Sequence, residues 1–211
     1  MSRAFWLAMV SALVLAPQVL APQVMAQEAK DLDKILEEVR AHGYLNVPAE
    51  HGRFLQLMIE LSGAKRVLEV GTSTGYSGLW IARGLRRTGG KLVTVEIDKD
   101  RAATARANFK KAGVDVVVTV HQGDAFQVVP KLEGQFDLIF LDAGSFKAFF
   151  DAVAPKLRPG GVLLSHNALL LKDDTQKMLD AAKADGRFLT GVVQIGSDGF
   201  AVLHKRRPEP K

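Results

Sequence analysis

Five short apolar runs rich in valine, each set off by a segment of helical periodicity, leave this chain few ways to fold. The runs cover residues 66–70, 91–97, 114–121, 136–141 and 161–166, and apolar residues at helical spacing mark 76–87, 101–112, 125–129 and 146–156 between them. A strand whose sheet is covered on both faces reads as an unbroken apolar run, and a helix between consecutive strands implies a parallel crossover. The spacing therefore predicts an α/β fold with a Rossmann-like, doubly wound, mostly parallel sheet of seven strands. The last two strands break the rule. Segments 191–195 and 200–203 flank Ser197-Asp198-Gly199, and an Asp-Gly turn there predicts an antiparallel C-terminal hairpin. Two helices precede the first strand. One covers 29–42 with Leu32, Ile35, Leu36 and Val39 on one face; the other follows Pro48, carries Phe54, Leu55, Met58, Ile59 and Leu61, and stops at Gly63.

Residues 1–26 have a different character. Arg3 gives a positive start, 4–16 are uncharged and mostly apolar, and Val24-Met25-Ala26 ends the stretch. That pattern predicts an export signal cleaved after Ala26, with an uncleaved membrane tether as the alternative. The apolar run of 13 residues falls short of the roughly 20 that span a bilayer. The organisation expected is thus a signal or tether (1–26), a single domain (27–205) and a basic tail (206–211), with the mature protein periplasmic or secreted. The chain has no cysteine, which excludes disulfide scaffolds, cysteine–zinc sites, iron–sulfur clusters and a catalytic thiol. The net charge of +5 owes part of its excess to Lys205, Arg206, Arg207 and Lys211, read as a solvated tail. Nucleic acid is not the partner expected.

The chemistry is concentrated where the strands end. Val67-Leu68-Glu69-Val70-Gly71-Thr72-Ser73-Thr74-Gly75-Tyr76-Ser77 runs from a buried strand through a glycine turn into a helix, the place where doubly wound sheets bind nucleotide-like ligands. Position 73 is not glycine, so the dinucleotide fingerprint is absent, and no Gly-Lys-Ser/Thr follows, so neither is this a phosphate-binding P-loop. At the end of the second strand, Glu96 can accept both hydroxyl protons of a ribose, and after the third strand Asp124 can meet an adenine amino group. Glu69, Glu96 and Asp124 fall at the carboxyl ends of consecutive strands, on one edge of the sheet.

These residues carry a resemblance. The chain resembles the class I S-adenosylmethionine-dependent methyltransferases, and among them the catechol/caffeoyl-CoA O-methyltransferase type. The resemblance spans about residues 46–205. It rests on Asn46-Val47-Pro48, Leu68-Glu69-Val70-Gly71 with Gly75-Tyr76-Ser77, Val95-Glu96-Ile97-Asp98, Gly123-Asp124-Ala125, Phe136-Asp137-Leu138-Ile139-Phe140-Leu141-Asp142-Ala143, Leu157-Arg158-Pro159-Gly160-Gly161 and Ser197-Asp198-Gly199. It implies S-adenosylmethionine as methyl donor and a small hydroxylated, aromatic acceptor. It also implies that Val47, Glu69, Gly71, Ser73 and Ser77 surround the methionine part of the donor, that Glu96 holds the ribose, that Asp124 and Ala125 border the adenine, and that Asp142 stands beside the donor. A homodimer is implied as well.

The family's divalent cation, Mg or Mn, is implied on an Asp after the fourth strand and an Asp-Asn pair after the fifth. Here those slots read Asp142 and His166-Asn167, so an imidazole replaces one carboxylate. Three readings stay open: a cation held by Asp142, His166 and Asn167, with imidazole favouring Mn, Fe, Co or Zn over Mg; His166 acting with Asp142 as a catalytic base on the acceptor hydroxyl; or a polar strand end without chemistry. The family's lysine three places after the Asp is also missing. Ser145 stands in its slot, and Lys147 is two places on and faces elsewhere. Phe149 and Phe150 read as core or pocket wall. Trp80 reads as core, Lys99, Arg101 and Arg106 as solvated surface, and no role is assigned to His42, His51, His121 or His204. Two alternatives to the enzyme remain: a non-catalytic module that kept the fold and the donor site, and an RNA methyltransferase suggested by the basic tail.

Overall fold

The structure, a computed structural model, describes residues 32–42 and 45–209. The export signal read at 1–26 lies outside the described residues, as do 29–31 of the first helix and the end of the tail at 210–211. A helix over 32–42 (α1) and α2 (Ala49–Ser62) lead into β1 (Arg66–Val70), α3 (Tyr76–Thr88), β2 (Lys91–Glu96), α4 (Lys99–Lys111), β3 (Val118–Gln122), α5 (Ala125–Val128), β4 (Phe136–Leu141), α6 (Phe146–Val153), β5 (Leu157–Ser165), α7 (Lys172–Asp185), β6 (Phe188–Ile195) and β7 (Asp198–Lys205). The strands form one sheet in the order β3-β2-β1-β4-β5-β7-β6. All pairs are parallel except those made by β7, which lies antiparallel between β5 and β6. The order turns outward in both directions from β1 and β4, and a ligand crevice opens beyond the carboxyl ends of strands at such a switch point.

The doubly buried strands are explained by what packs on them. Along β4, Leu138 and Phe140 face the layer of α1 to α4, with Leu36, Ile59, Leu79 and Phe109, while Ile139 and Leu141 face the layer of α5 to α7, with Phe150, Val153 and Met178. Alternate side chains point to opposite faces of a strand, so both sets must be apolar.

The boundaries differ from the sequence expectation in three instructive places. Residues 114–117 are not strand; Val117 N–H closes a turn onto the Val114 carbonyl and pairing with β2 begins at Val118. Helix α7 has no counterpart in the sequence reading, because its apolar stripe is thin. Thr175, Met178, Leu179 and Ala182 alone are buried, although Asp173 and Asp174 in the first turn and Gly186 after the last mark its ends. The hairpin turn is not Asp198-Gly199. Ile195 pairs with Asp198, so the two-residue loop is Gly196-Ser197, with Gly196 at φ +62°. Lys205 also departs from the solvated tail: it ends β7, buried, and its ammonium donates to the carbonyls of Ala154 (2.8 Å) and Leu157 (2.7 Å). No helix among the described residues is long and apolar enough to cross a membrane.

Candidate active site

Just beyond the strand ends the chain continues the ladder by one bond at each step. Gly71 N–H donates to the Val95 carbonyl, Gly123 to Glu96, Asp142 to Val70 and His166 to Leu141. The residues that follow four parallel strands are thereby fixed along one edge. They line a cleft of about 590 Å³ with the 45–48 segment, His51 at the start of α2, Arg101, Phe149, Leu170 and Asp198. Gly71 is required there: its φ is +98°, and a Cβ would lie 2.4 Å from the Asp142 carbonyl oxygen. Among the described residues the non-glycine positions with positive φ are Leu45, Ser73, Ser145 and Asn167. Leu45, Ser73 and Asn167 line this cleft, so the unusual backbone is concentrated where a ligand would be held.

Of the residues proposed for the donor, Val47, Gly71, Ser73, Glu96, Asp124, Ala125 and Asp142 line the cleft. Glu96 is 5% exposed, and its carboxylate accepts from the backbone N–H of Ser73 (2.7 Å) and of Asp98 (3.0 Å). Arg101, read as solvated surface, lies in the cleft wall with Nε 4.0 Å from Glu96. Asp124 caps α5 by accepting from Phe126 N–H. Phe126 stacks on Phe149, with centroids 4.4 Å apart and planes 5° from parallel, and Phe149 forms part of the cleft wall.

Glu69 and Ser77 are placed elsewhere. They lie beneath the glycine turn and not among the cleft residues. Ser77 Oγ donates to Glu69 Oε1 and Thr94 Oγ1 to Oε2, both at 2.6 Å, and Thr72 bonds Thr94 in turn. Burial raises the Glu69 carboxyl from its ordinary 4.5 to about 8, against the pull of those two hydroxyls. Tied to both hydroxyls, this group holds the turn from below.

The other end of the cleft is built from residues far apart in sequence. His166 Nδ1 meets Asp142 Oδ1 at 2.8 Å, and His166 Nε2 meets His51 Nδ1 at 2.8 Å. His51 Nε2 meets the Ile195 carbonyl at 2.9 Å. His51 is therefore a site residue that the sequence reading missed. One signal was available: with Leu55 and Ile59 it stands on the i, i+4, i+8 stripe that α2 buries. Helix α2 can bring it there because Gly52 leaves room for the Trp80 indole, which a Cβ would approach to 2.2 Å. Asn167 lines the cleft at φ +58°. Lys147 points away to pair with Asp151, and Ser145 lies on the neighbouring outer groove. Asp198 accepts from the N–H groups of Leu169 (2.9 Å) and Leu170 (3.2 Å), while its buried Oδ2 has no hydrogen-bond partner among the described residues.

A divalent cation does not fit this donor set as it stands. Both ring nitrogens of His166 are engaged, which leaves the Asp142 carboxylate, one of whose oxygens already faces His166, and the Asn167 amide. Among the described residues no group of three or more His, Asp or Glu side chains gathers as a cation site.

Residues 24–196 match the sequence profile of the O-methyltransferase family. The chain belongs to the O-methyltransferase family. It is 37% identical over 131 residues to a catechol O-methyltransferase of Niastella koreensis, which covers 59% of this chain and 59% of that protein. It is 33% identical over 174 residues to a catechol O-methyltransferase of Mycobacterium tuberculosis, 74% of this chain and 79% of the relative. The fold superposes on the crystal structure of an O-methyltransferase from Bacillus cereus in complex with SAH, with a TM-score of 0.75 and 29% identity over 84% of this chain and 91% of that one. Membership of this family agrees with the resemblance to the class I S-adenosylmethionine-dependent methyltransferases, and the chain spans 59% of the length of the first of these relatives.

Proposed function

We propose that this chain transfers a methyl group from S-adenosylmethionine to a hydroxyl of a small aromatic acceptor. The observation that carries the reading is the convergence of Glu96, Asp124 and Asp142 on one cleft, each from the end of a different strand. Glu96 would take the ribose hydroxyls, since its buried carboxylate is already held by two backbone amides and keeps further lone pairs. Ala125, with the stacked Phe126 and Phe149, gives a flat base an apolar neighbourhood beside Asp124. Val47, Gly71 and Ser73 leave room for the amino-acid part.

When bound, the sulfonium supplies a methyl carbon open to in-line displacement. The chain's task is to hold an acceptor oxygen at about 3 Å on the far side and to remove its proton. Asp142 is placed for the second part. Its Oδ1 is bonded to His166, and its Oδ2 has no partner among the described residues and can accept from the acceptor hydroxyl. As the new O–CH₃ bond forms from an oxygen lone pair, the old S–CH₃ pair stays on sulfur, and the acceptor proton passes to Asp142 and then to solvent.

Two further parts of the reading concern the whole protein. We place it outside the cytoplasm, cleaved after Ala26 or tethered by residues 1–26, and expect a homodimer; cell fractionation and light scattering test these. The enzyme reading is tested by calorimetry with SAH and by methyl transfer to a panel of mono- and dihydroxylated phenols. Micromolar SAH binding with turnover on at least one diol is the expected result. Failure of both sinks the reading; SAH binding without turnover on any phenol would favour the non-catalytic module instead.

A further inference from the structure

The row Asp142–His166–His51 can be followed proton by proton. It ends on the Ile195 carbonyl, which can only accept, so His51 Nε2 carries a proton and donates to it. If His51 is neutral, its Nδ1 presents a lone pair, and His166 Nε2 must donate to that nitrogen. His166 Nδ1 faces a carboxylate oxygen, so that contact also needs a proton, and the row then holds three ring protons on two imidazoles, one of them an imidazolium whose charge the Asp142 carboxylate balances. No ring nitrogen of the row is left with a free lone pair, which is what a metal takes from imidazole. The row is fixed on every side. His51 is 1% and His166 6% exposed, their rings stand edge to face at 5.0 Å, and Phe200 packs on both at 5.2 Å and 5.4 Å. His51 comes from a helix 115 residues away in sequence.

We propose that this site transfers methyl groups without a divalent cation, and that His51 is the positioning residue that makes this so, by holding His166 against Asp142. The inference rests on the methyltransferase reading above. His51 occupies the one nitrogen with which His166 could have joined Asp142 and Asn167 around a metal. What the row supplies instead is a carboxylate with one oxygen fixed and one open. The acceptor proton arrives at Asp142 Oδ2 as the O–CH₃ bond forms, and the extra proton leaves to water when the ether departs. The net chemistry is acceptor hydroxyl plus sulfonium giving ether, thioether and one proton, with no other reactant.

The test separates this inference from the reading it rests on. Mn²⁺ alone is titrated onto the full chain, with and without SAH, and followed by electron paramagnetic resonance. The wild type should show no saturable site below about 1 mM, and His166→Asp, which restores a carboxylate and releases His51, should acquire one. A single Mn²⁺ site on the wild type that Asp142→Asn removes would overturn the proposal, and so would a His166→Asp protein as indifferent to Mn²⁺ as its parent. These outcomes decide the matter even if no phenol is turned over. With an active acceptor, EDTA and added Mg²⁺ should each change turnover less than two-fold; loss with EDTA and recovery with Mg²⁺ overturns the inference while leaving the enzyme reading intact. His51→Ala should lower kcat at least ten-fold with SAH affinity unchanged, and His51→Gln, which can still bridge His166 and the Ile195 carbonyl, should recover most of it. Wild-type turnover in His51→Ala would refute the positioning role.

Discussion

The two ends of the cleft are both polar and both sit on the carboxyl edge of one sheet, yet they are assembled in opposite ways. At the end proposed for the donor, Gly71 and Ser73 belong to one strand–turn–helix segment whose Glu69 and Ser77 brace it from beneath, and Glu96 joins the turn by accepting from the Ser73 N–H. At the end proposed for the acceptor, Asp142 and His166 stand just after β4 and β5 and His51 in α2, and the row closes on a carbonyl at the end of β6. A local turn can be specified by spacing and glycines, so it reads as a motif. A row of three side chains exists only if helix α2 is seated correctly on the sheet. The donor end is thus the part that a family can share, and the acceptor end the part where a chain can change its chemistry by replacing single residues.

That contrast can be attacked from either side. The largest effect is expected at the acceptor end: Asp142→Asn should lower methyl transfer by about 10²–10⁴-fold, the usual weight of a general base, while the variant still unfolds cooperatively. Transfer within a few-fold of wild type would remove Asp142 from the chemistry. Next comes the buried acid under the donor turn. Glu69 titrates near 4.5 when unfolded and about 8 when folded. The folded state therefore binds the proton more tightly, and the stability this contributes is complete below about pH 4.5 and is lost as pH rises through 8. At about 1.4 kcal/mol per pH unit, the wild type should lose roughly 3–5 kcal/mol across that window by urea denaturation, and Glu69→Gln should flatten the profile. Parallel profiles for the two proteins would show that Glu69 is not the source. Glu96→Gln should weaken SAH about 10- to 100-fold, since hydrogen bonds to a charged group are worth about 1.5–3 kcal/mol; unchanged affinity in calorimetry would take the ribose contact away from Glu96. The smallest effect is expected for Phe126→Ala, which removes the ring stacked on Phe149 and should weaken SAH about 2- to 10-fold, the range of an aromatic pair.

Periodicity was enough to locate β1 and β4 to the residue, because strands buried on both faces have no choice but to be apolar throughout. It failed at α7, where a helix lying on the surface buries only four residues and its sequence is mostly charge. It misjudged Lys205, whose long stem permits an ammonium to be carried inward to two carbonyls while composition shows only a basic end. Arg101 keeps the surface exposure the sequence suggests, with its side chain 38% exposed, and what the sequence does not show is that its Nε comes to 4.0 Å from Glu96.

Asp142 was implied by the family resemblance alone; by itself, the sequence determined the strands, the crossovers between the first five of them, the glycine turn and the acids Glu96 and Asp124 at the strand ends. These follow from apolar periodicity and from short-range backbone geometry, which depend on neighbours in the chain. Tertiary structure alone decided that Glu69 and Ser77 lie under the turn, that the hairpin turns at Gly196-Ser197, and that His51 closes a row with His166 and Asp142. The reason is physical: a hydrogen bond between side chains 115 residues apart is set by how α2 packs on the sheet, through Gly52, Trp80 and the Leu55–Ile59 stripe, and no local pattern encodes that seating.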